Sequence, residues 1–182
     1  MRDRRWGVQV SISVEAKAGE TKGLLRYEEL VFPCALGRSG ITEAKREGDG
    51  GTPPGRYPLR SLFYRPDRAP PPPGRFHPIP LQRDYGWGDD CNHPESYNRL
   101  ILLPVSTGHE VLWREDEIYD LIVVIGYNDA PPIPGRGSAI FLHLAREGLT
   151  PTEGCIALAR HDLLALLDRI GPETPMEIRQ IP

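Results

Sequence analysis

Proline and glycine place the strongest constraint on what this chain can fold into. Its 182 residues include 20 prolines and 19 glycines, which break the sequence into short apolar runs. Proline lacks the backbone donor that helix interiors and central strands need, and glycine loses the most backbone entropy on folding. Frequent breaks of this kind are typical of short strands joined by turns. The sequence therefore predicts a mainly β fold.

Hydrophobic periodicity indicates where the strands lie. Residues 8–14 alternate apolar and polar side chains, which is typical of a strand with one buried face. Residues 99–103 and 119–125 are continuous apolar runs, and we expect both to form buried central strands. Further strands are predicted at residues 29–36, 138–144 and 176–181.

One segment has the spacing of a helix. Leu163, Leu164 and Leu167 recur at helical intervals within residues 161–170, and Gly171 followed by Pro172 is a typical helix stop. The sequence thus predicts one principal helix near the C-terminal end, packed through these leucines against a β-sandwich.

A proline-rich segment, residues 65–87, differs from the rest of the chain. Its run of prolines at 70–73 is unable to pair in a sheet, yet aromatic residues flank it. One interpretation is a surface loop that its aromatic side chains tether to the core. The other is a wall or lid of a functional cleft, with aromatic contacts from Tyr85 and Trp87. We expect this segment to border the site.

Length and charge narrow the class of protein. The chain suits a single domain, residues 1–182, with a sizeable core. A net charge of -3 leaves no electrostatic footprint for nucleic acid. No apolar run is long enough to span a membrane, and residues 1–8 lack the apolar core of a secretory signal. We therefore expect a soluble chain with no nucleic-acid partner and no membrane span.

A histidine and a cysteine near the C-terminal end carry the chemistry. His143 lies in an apolar strand, where an unpartnered imidazole is costly, and Cys155 follows Gly154 after a short polar loop. A cysteine nucleophile needs a nearby base, and a small neighbour lets a substrate carbonyl approach. We interpret Cys155 as the nucleophile and His143 as its base, with the N–H groups of Gly154 and Cys155 as candidate oxyanion donors. The alternative is an inert buried thiol.

Metal binding is the competing interpretation of the cysteines and histidines. Cys91, His93, His143 and Cys155 are possible ligands, but their spacing matches no paired zinc pattern. We expect no metal and no cofactor. Cys34 lies in a predicted strand and reads as a core residue; a Cys34–Cys91 disulfide stays possible, so the cysteine count does not define the compartment.

Two motifs resemble the L,D-transpeptidase catalytic-domain family, also called YkuD-like. That family has a strand histidine, a variable loop and then Ser/Thr-His-Gly-Cys-x-Arg. Here His143 is followed by Thr152, Gly154 and Cys155, while Glu153 stands at the histidine and Ala157 at the arginine of the pattern. Upstream, residues 50–59 (GGTPPGRYPL) are similar to the family's Thr-Pro-x-Gly-x-Phe/Tyr segment.

The resemblance implies a fold and a reaction. The fold is a YkuD-like β-sandwich with one principal C-terminal helix and, here, a long proline-rich loop. The reaction is acyl transfer through a thioester on Cys155, from a tetrapeptide stem of peptidoglycan to an amine or to water. In the family a backbone carbonyl orients the histidine. Thr152 and Asp129 are substrate-site candidates, and Arg146, Arg136 or Arg160 could supply the charge absent at Ala157.

The resemblance also implies partners and a location. Peptidoglycan stem peptides are the expected substrates, and carbapenem-type β-lactams are expected covalent inhibitors. The family works in the periplasm or cell envelope, yet residues 1–8 show no signal peptide, so a cytoplasmic location stays open. Two other functions remain: a cysteine amidase or peptidase, such as an L,D-carboxypeptidase, and a non-catalytic wall-binding module.

Overall fold

The computed structural model describes residues 10–182. Its elements are thirteen strands, one α-helix and one short 3-10 helix at Glu147–Leu149. In chain order they are β1 (Ile12–Lys17), β2 (Lys22–Tyr27), β3 (Leu30–Ala35), β4 (Gly55–Tyr57), β5 (Leu59–Tyr64), β6 (Ile79–Pro80), β7 (Tyr85–Gly88), β8 (Leu100–Leu102), β9 (His109–Val111), β10 (Leu121–Ile125), β11 (Phe141–Leu144), β12 (Ile156–Leu158), α1 (Arg160–Leu167) and β13 (Met176–Ile181).

The strands form one large curled sheet and one small sheet. The large sheet has ten strands in the order β4-β13-β1-β2-β3-β12-β11-β10-β5-β6, and the small one has the order β8-β7-β9. Most neighbours are antiparallel, whereas β11 and β12 run parallel to each other. The mainly β fold with one α-helix, predicted from the proline and glycine content, is confirmed.

The centre of the large sheet is buried on both faces. Alternate residues of β10 enter two different apolar clusters: Leu121, Val123 and Ile125 pack into the larger cluster, and Ile122 and Val124 into the smaller one. This double burial explains why β10 reads as a continuous apolar run. The same alternation continues along β11 and directs Phe141 toward the smaller cluster.

Several predicted strands are confirmed with small shifts of their ends. Strand β13 has the predicted bounds, and β3, β10 and β11 lie inside the predicted runs. The first predicted strand, residues 8–14, begins at Ile12 and continues to Lys17, while residues 8 and 9 lie outside the described part of the chain. Strands β2, β4, β6 and β12 were not predicted, because each is short or polar.

The prediction of a buried central strand at residues 99–103 is wrong. Strand β8 lies at an edge of the small sheet, and Leu100 and Leu102 are 39% and 62% exposed. A short apolar run has no periodicity that separates an edge strand from a central one, since only its neighbours make that difference.

The helix packs through a slightly different set of residues than predicted. α1 spans Arg160–Leu167, and Leu163, Leu166 and Leu167 are buried while Leu164 points outward. Its last turn tightens, because the N–H groups of Arg169 and Ile170 both donate to the carbonyl of Leu166. The predicted range of 161–170 therefore includes this closing turn. No helix in residues 10–182 is long and apolar enough to cross a bilayer.

The proline-rich segment is anchored to the main core. Phe76 packs into the larger apolar cluster. Gly74 lies so close to α1 that a Cβ there would stand 2.2 Å from the carbonyl oxygen of Leu167. Pro70 and Pro72 line a surface depression together with Arg160 and Leu164. These contacts match the interpretation of the segment as a tethered loop.

We expect Phe76→Ala to lower the free energy of unfolding by about 3–5 kcal/mol, the usual loss for a buried phenylalanine. Phe76 is 6% exposed, so its removal leaves a cavity under the proline run. The matched control is Ile79→Ala in the same segment, which is 37% exposed and should cost about 1 kcal/mol or less. Urea unfolding measures both, and equal losses would contradict the anchoring role of Phe76.

Candidate active site

A cleft of ≈ 500 Å³ opens beside β11 and β12. One side is formed by the central strands of the large sheet and by the loop before Cys155. The other side comes from β9 and the segment that follows it. The residues that line the cleft include Glu47, Asp89, Glu110, Arg114, Tyr119, His143, Arg146, Thr152, Glu153, Cys155 and Ala157.

The parallel pairing of β11 with β12 places His143 and Cys155 on one face. In this register His143 lies opposite Ala157, and Leu142 lies opposite Ile156. Cys155 therefore falls beside Phe141, whose N–H donates to its sulfur at 3.3 Å. Because alternate residues of a strand share a face, His143 and Cys155 are diagonal neighbours that open into the same cleft. The structure brings together the two residues that the sequence selected.

His143 is held as a neutral base. Its Nδ1 lies 2.9 Å from the carbonyl oxygen of Leu144, and since a carbonyl only accepts, Nδ1 carries the proton and Nε2 keeps a free lone pair. The side chain is buried, with 5% of the residue exposed. This burial lowers the pKa of His143 to about 4. The imidazole is therefore uncharged and able to accept a proton at neutral pH.

The Cys155 thiol is neutral as well and points to a backbone partner. Its Sγ donates to the carbonyl oxygen of Ala139 at 3.1 Å, and burial raises its pKa far above the ordinary value. The two hydrogen bonds of the sulfur thus go to Ala139 and Phe141. Rotation about the Cβ–Sγ bond of Cys155 would turn the thiol proton from Ala139 toward His143.

Gly154 is required by the turn before the cysteine. Its φ is +130°, and a Cβ at this position would lie 2.8 Å from the carbonyl oxygen of Gly51. Its N–H donates to Oγ1 of Thr152 at 3.1 Å, so this amide already has a partner. Thr152 Oγ1 in turn donates to the carbonyl of Cys155 at 2.6 Å. Both residues therefore shape the turn, and Cys155 N–H is the remaining candidate oxyanion donor of the predicted pair.

The upstream threonine-proline motif stabilises this turn through the side chain of Thr52. Thr52 is fully buried. Its hydroxyl donates to the carbonyl of Gly154 at 3.0 Å and accepts the N–H of Gly37 at 2.9 Å. The hydroxyl thus ties the cysteine turn to two other loops. This contact gives the motif a physical role that its sequence alone did not reveal.

A charged cluster lies along one side of the cleft. Asp116 receives hydrogen bonds from Arg114 at 2.8 and 2.9 Å and from Arg146 at 3.0 Å. The guanidinium of Arg114, with a further contribution from Arg146, lowers the pKa of Asp116 to about 2. The cluster carries a net positive charge at neutral pH, because two cations share one carboxylate. Arg136 and Arg160, the other predicted sources of charge, do not line the cleft.

Ala157 occupies the position where the family pattern has arginine. It pairs with His143 in the sheet, is 1% exposed and forms part of the cleft floor. Glu153, the other departure from the pattern, is mostly exposed and forms an ion pair with Arg38 at 2.8 Å. The side chains at both positions thus differ from the family pattern in charge as well as in size.

Three predicted substrate contacts lie outside the cleft. Trp87 is buried beneath it, where its ring meets Phe141 edge to face at 5.2 Å and its Nε1 donates to Asn98. Tyr85 accepts a hydrogen bond from Gln82, and Asp129 pairs with Arg60 at 2.8 Å. No residue of the segment 65–87 lines the cleft. The expectation that this segment borders the site is corrected, because its aromatic residues pack inward and its prolines lie near α1.

The wall across from the cysteine was not predicted. It includes Glu110 of β9, together with Arg114 and Tyr119 from the loop before β10. Glu110 and Arg114 lie in a stretch without a motif, and Tyr119 is the first residue of the predicted strand 119–125, so the only sequence signal was a cluster of charges before that strand. Their closeness to Cys155 depends on how the small sheet packs against the large one.

The remaining cysteines are free thiols. Cys34 is buried in β3, and this burial raises its pKa to about 12. Cys91 is exposed. Within residues 10–182, no three histidine, cysteine or acidic side chains are grouped in a way that could hold a metal ion.

Comparisons with known proteins point to one family. The sequence model of the L,D-transpeptidase catalytic domain, YkuD, matches residues 18–178. No curated protein matches the chain. Among solved structures, an L,D-transpeptidase from Mycobacterium tuberculosis H37Rv is 14% identical, with 93% of this chain and 58% of that chain covered and a TM-score of 0.43.

Two other solved structures give similar values. L,D-transpeptidase 3 from Mycobacterium tuberculosis in complex with a faropenem-derived adduct is 14% identical, with 93% and 60% coverage and a TM-score of 0.42. An L,D-transpeptidase from Mycobacterium smegmatis is 11% identical, with 93% and 59% coverage and a TM-score of 0.40. The present chain spans about three fifths of the length of these solved chains.

Burial of His143 should make stability depend on pH. Its pKa is about 4 in the folded protein and about 6.5 when unfolded. As the pH falls, the imidazole is therefore protonated in the unfolded chain before it is protonated in the folded protein. The contribution of His143 to the free energy of unfolding is present above pH 6.5 and is lost as the pH falls toward 4. We expect a loss of about 2–3 kcal/mol between pH 7 and 4.5.

Urea unfolding of wild type and His143→Asn at the two pH values isolates this contribution, since other groups titrate in both proteins. The control is His77→Asn, at an exposed histidine outside the cleft, which tests whether a histidine-to-asparagine change elsewhere alters the pH dependence. Identical pH dependence in wild type and His143→Asn would show that His143 is not held neutral.

Proposed function

The chain belongs to the L,D-transpeptidase catalytic domain family, and from this premise we propose that it is a cysteine acyltransferase acting on peptidoglycan stem peptides. The observation that carries the proposal is the shared cleft of Cys155 and His143, in which a neutral imidazole has a free Nε2. A cysteine nucleophile needs a nearby base and access to its substrate. The position of Cys155 beside His143 in the cleft provides both.

In the first step, the Sγ–H bond of Cys155 turns from the Ala139 carbonyl toward Nε2 of His143. The imidazole takes the proton as the thiolate attacks a peptide carbonyl. The carbonyl π electrons move onto oxygen, and Cys155 N–H donates to this oxyanion. Collapse of the tetrahedral species forms the thioester, breaks the C–N bond and passes the proton from His143 to the leaving amine.

In the second step, an acceptor amine attacks the thioester. His143 removes a proton from this amine, a new amide bond forms, and the C–S bond breaks. His143 then passes this proton to the sulfur, which regenerates the thiol and the neutral imidazole. Water in place of the amine gives a carboxylic acid, which is the L,D-carboxypeptidase reaction. The same two residues serve both outcomes, so the choice depends on how well the cleft holds the amine and excludes water.

The charged cluster supports a substrate with a carboxylate. We assign Arg146, backed by Arg114, to the terminal carboxylate of a tetrapeptide stem, since guanidinium groups bind carboxylates through paired hydrogen bonds. Arg114 and Arg146 line the same cleft as Ala157, which stands where the family pattern has arginine, so they supply the positive charge that this position lacks. Such a substrate belongs to the cell envelope.

The departures at Glu153 and Ala157 favour one alternative, a cysteine amidase or peptidase with another substrate. Glu153 is tied to Arg38 at the mouth of the cleft and adds negative charge there. A chain that releases the acyl group to water on a different peptide would keep His143 and Cys155 in the same roles. A tetrapeptide assay with and without an acceptor amine separates the two functions by the mass of the product.

Covalent trapping tests the nucleophile. We expect a carbapenem to add its full mass to wild type, Cys34→Ala and Cys91→Ala, because ring opening by the thiolate leaves the whole molecule attached. Cys155→Ala should stay unmodified. Intact-protein mass spectrometry gives the result, and circular dichroism verifies the fold of each variant. An adduct that persists in Cys155→Ala, or a folded wild type that never reacts, would overturn the proposal.

Substrate recognition is tested at Arg146. We expect Arg146→Gln to raise KM for a stem tetrapeptide about tenfold with a smaller effect on kcat, since a hydrogen bond to a charged group is worth about 1.5–3 kcal/mol. The control is Arg56→Gln on the edge strand β4, outside the cleft. A tetrapeptide amide, which lacks the carboxylate, should bind wild type and Arg146→Gln equally. Unchanged KM for the acid form would remove Arg146 from substrate binding.

A further inference from the structure

The wall of the cleft contains a pair of residues that link its two sheets. Tyr119 donates a hydrogen bond to Oε1 of Glu110 at 2.5 Å. Glu110 belongs to β9 of the small sheet, whereas Tyr119 directly precedes Asp120 and the first residue of β10 in the large sheet. We propose that Glu110 and Tyr119 are positioning residues: Tyr119 holds the imidazole of His143, and the charge of Glu110 sets the reactivity of the Cys155 thiol.

The ring of Tyr119 contacts two residues of β11, His143 and Phe141. It meets His143 edge to face, with centroids 5.2 Å apart, and it meets Phe141 in the same manner at 6.0 Å. The guanidinium carbon of Arg114 lies 5.5 Å from the ring centroid. Tyr119 is 4% exposed, so packing leaves the ring little freedom. The hydroxyl bond to Glu110 fixes the remaining end of this side chain.

The contact between Tyr119 and His143 complements the hydrogen bond that His143 makes to the backbone. The bond from Nδ1 to Leu144 fixes one edge of the imidazole but leaves the ring free to tilt about that direction. An edge-to-face neighbour restricts the tilt, because aromatic rings prefer this arrangement. Tyr119 therefore keeps Nε2 directed into the cleft, where the proton of Cys155 must arrive.

The carboxyl of Glu110 also acts on the sulfur through its charge. Burial raises the pKa of Glu110, and the neighbouring Asp89 and Glu47 raise it further, while Tyr119 and Arg114 lower it. The other titratable or charged side chains that line the same cleft as Glu110 are His109, His143, Arg146, Glu153 and Cys155. When ionised, Glu110 opposes formation of the thiolate, since like charges in a partly buried site repel. A neutral group here should ease that step.

Substitution separates the two roles. Glu110→Gln keeps a carbonyl oxygen for the Tyr119 hydroxyl and removes only the charge. Tyr119→Phe keeps the ring and removes the bond to Glu110. The control is Glu117→Gln, at a carboxylate outside the cleft that is 77% exposed on its side chain and paired with Arg160. All variants are made with Cys91→Ser, which removes the exposed thiol.

The readout is alkylation of Cys155 by iodoacetamide as a function of pH, quantified on the Cys155 peptide by mass spectrometry. This reaction needs the thiolate but no peptide substrate or β-lactam. The inference rests on the proposed function for its meaning, yet alkylation still reports on the pair if that function fails. Melting temperatures show whether each variant is folded.

We expect Glu110→Gln to raise the alkylation rate of Cys155 about tenfold at each pH from about 7 to 9, since removal of one nearby negative charge eases ionisation of the thiol by about one pH unit. Tyr119→Phe should lower the rate about three- to tenfold near neutral pH, because a displaced imidazole takes the thiol proton less readily. Glu117→Gln should follow wild type.

Unchanged rates in both variants would overturn the proposal. A Glu110→Gln rate no higher than that of wild type would overturn the role of the charge. If Tyr119→Phe does not fold, Glu110→Ala, which lacks both the acceptor and the charge, decides the positioning role: its rate should fall below that of Glu110→Gln.

Discussion

The backbone pairing of β11 with β12 is the contact on which the site depends. It is a parallel pair in the middle of the ten-stranded sheet, and both of its faces are buried. A shift of one residue would turn every side chain to the opposite face and send His143 into the larger core. The double burial therefore protects the register. It also makes the placement of the imidazole beside Ala157 a property of the whole sheet.

The cleft holds its reactive groups in their neutral forms. Burial lowers the pKa of His143 to about 4 and raises that of the Cys155 thiol, so the imidazolium–thiolate pair is not the resting state. The same burial strengthens electrostatic interactions once charge develops. In the proposed mechanism, the N–H of Cys155 and the cationic cluster around Asp116 offset the cost of separating these charges.

The turn that presents Cys155 is rigid because its polar groups are satisfied within the protein. The hydroxyls of Thr52 and Thr152 donate to the carbonyls of Gly154 and Cys155, and the Thr152 hydroxyl also accepts the N–H of Gly154. Glycine is the only residue type compatible with the φ of +130° at Gly154 and with the closeness of Gly51. The rigidity of this turn contrasts with the one motion that the proposed mechanism requires, a rotation of the Cys155 S–H bond.

Local patterns in the sequence determined the β class, the helix near Leu163, and the choice of Cys155 and His143. Each depends on neighbours in the chain: alternation, helical spacing, or a glycine before a cysteine. Such patterns did not predict the wall of the cleft opposite Cys155. Glu110 and Tyr119 lie near His143 only because the small sheet packs on the large one, and Trp87 became core rather than substrate contact for the same reason. Contacts between distant segments follow from burial of whole sheet faces, which no short stretch of sequence specifies.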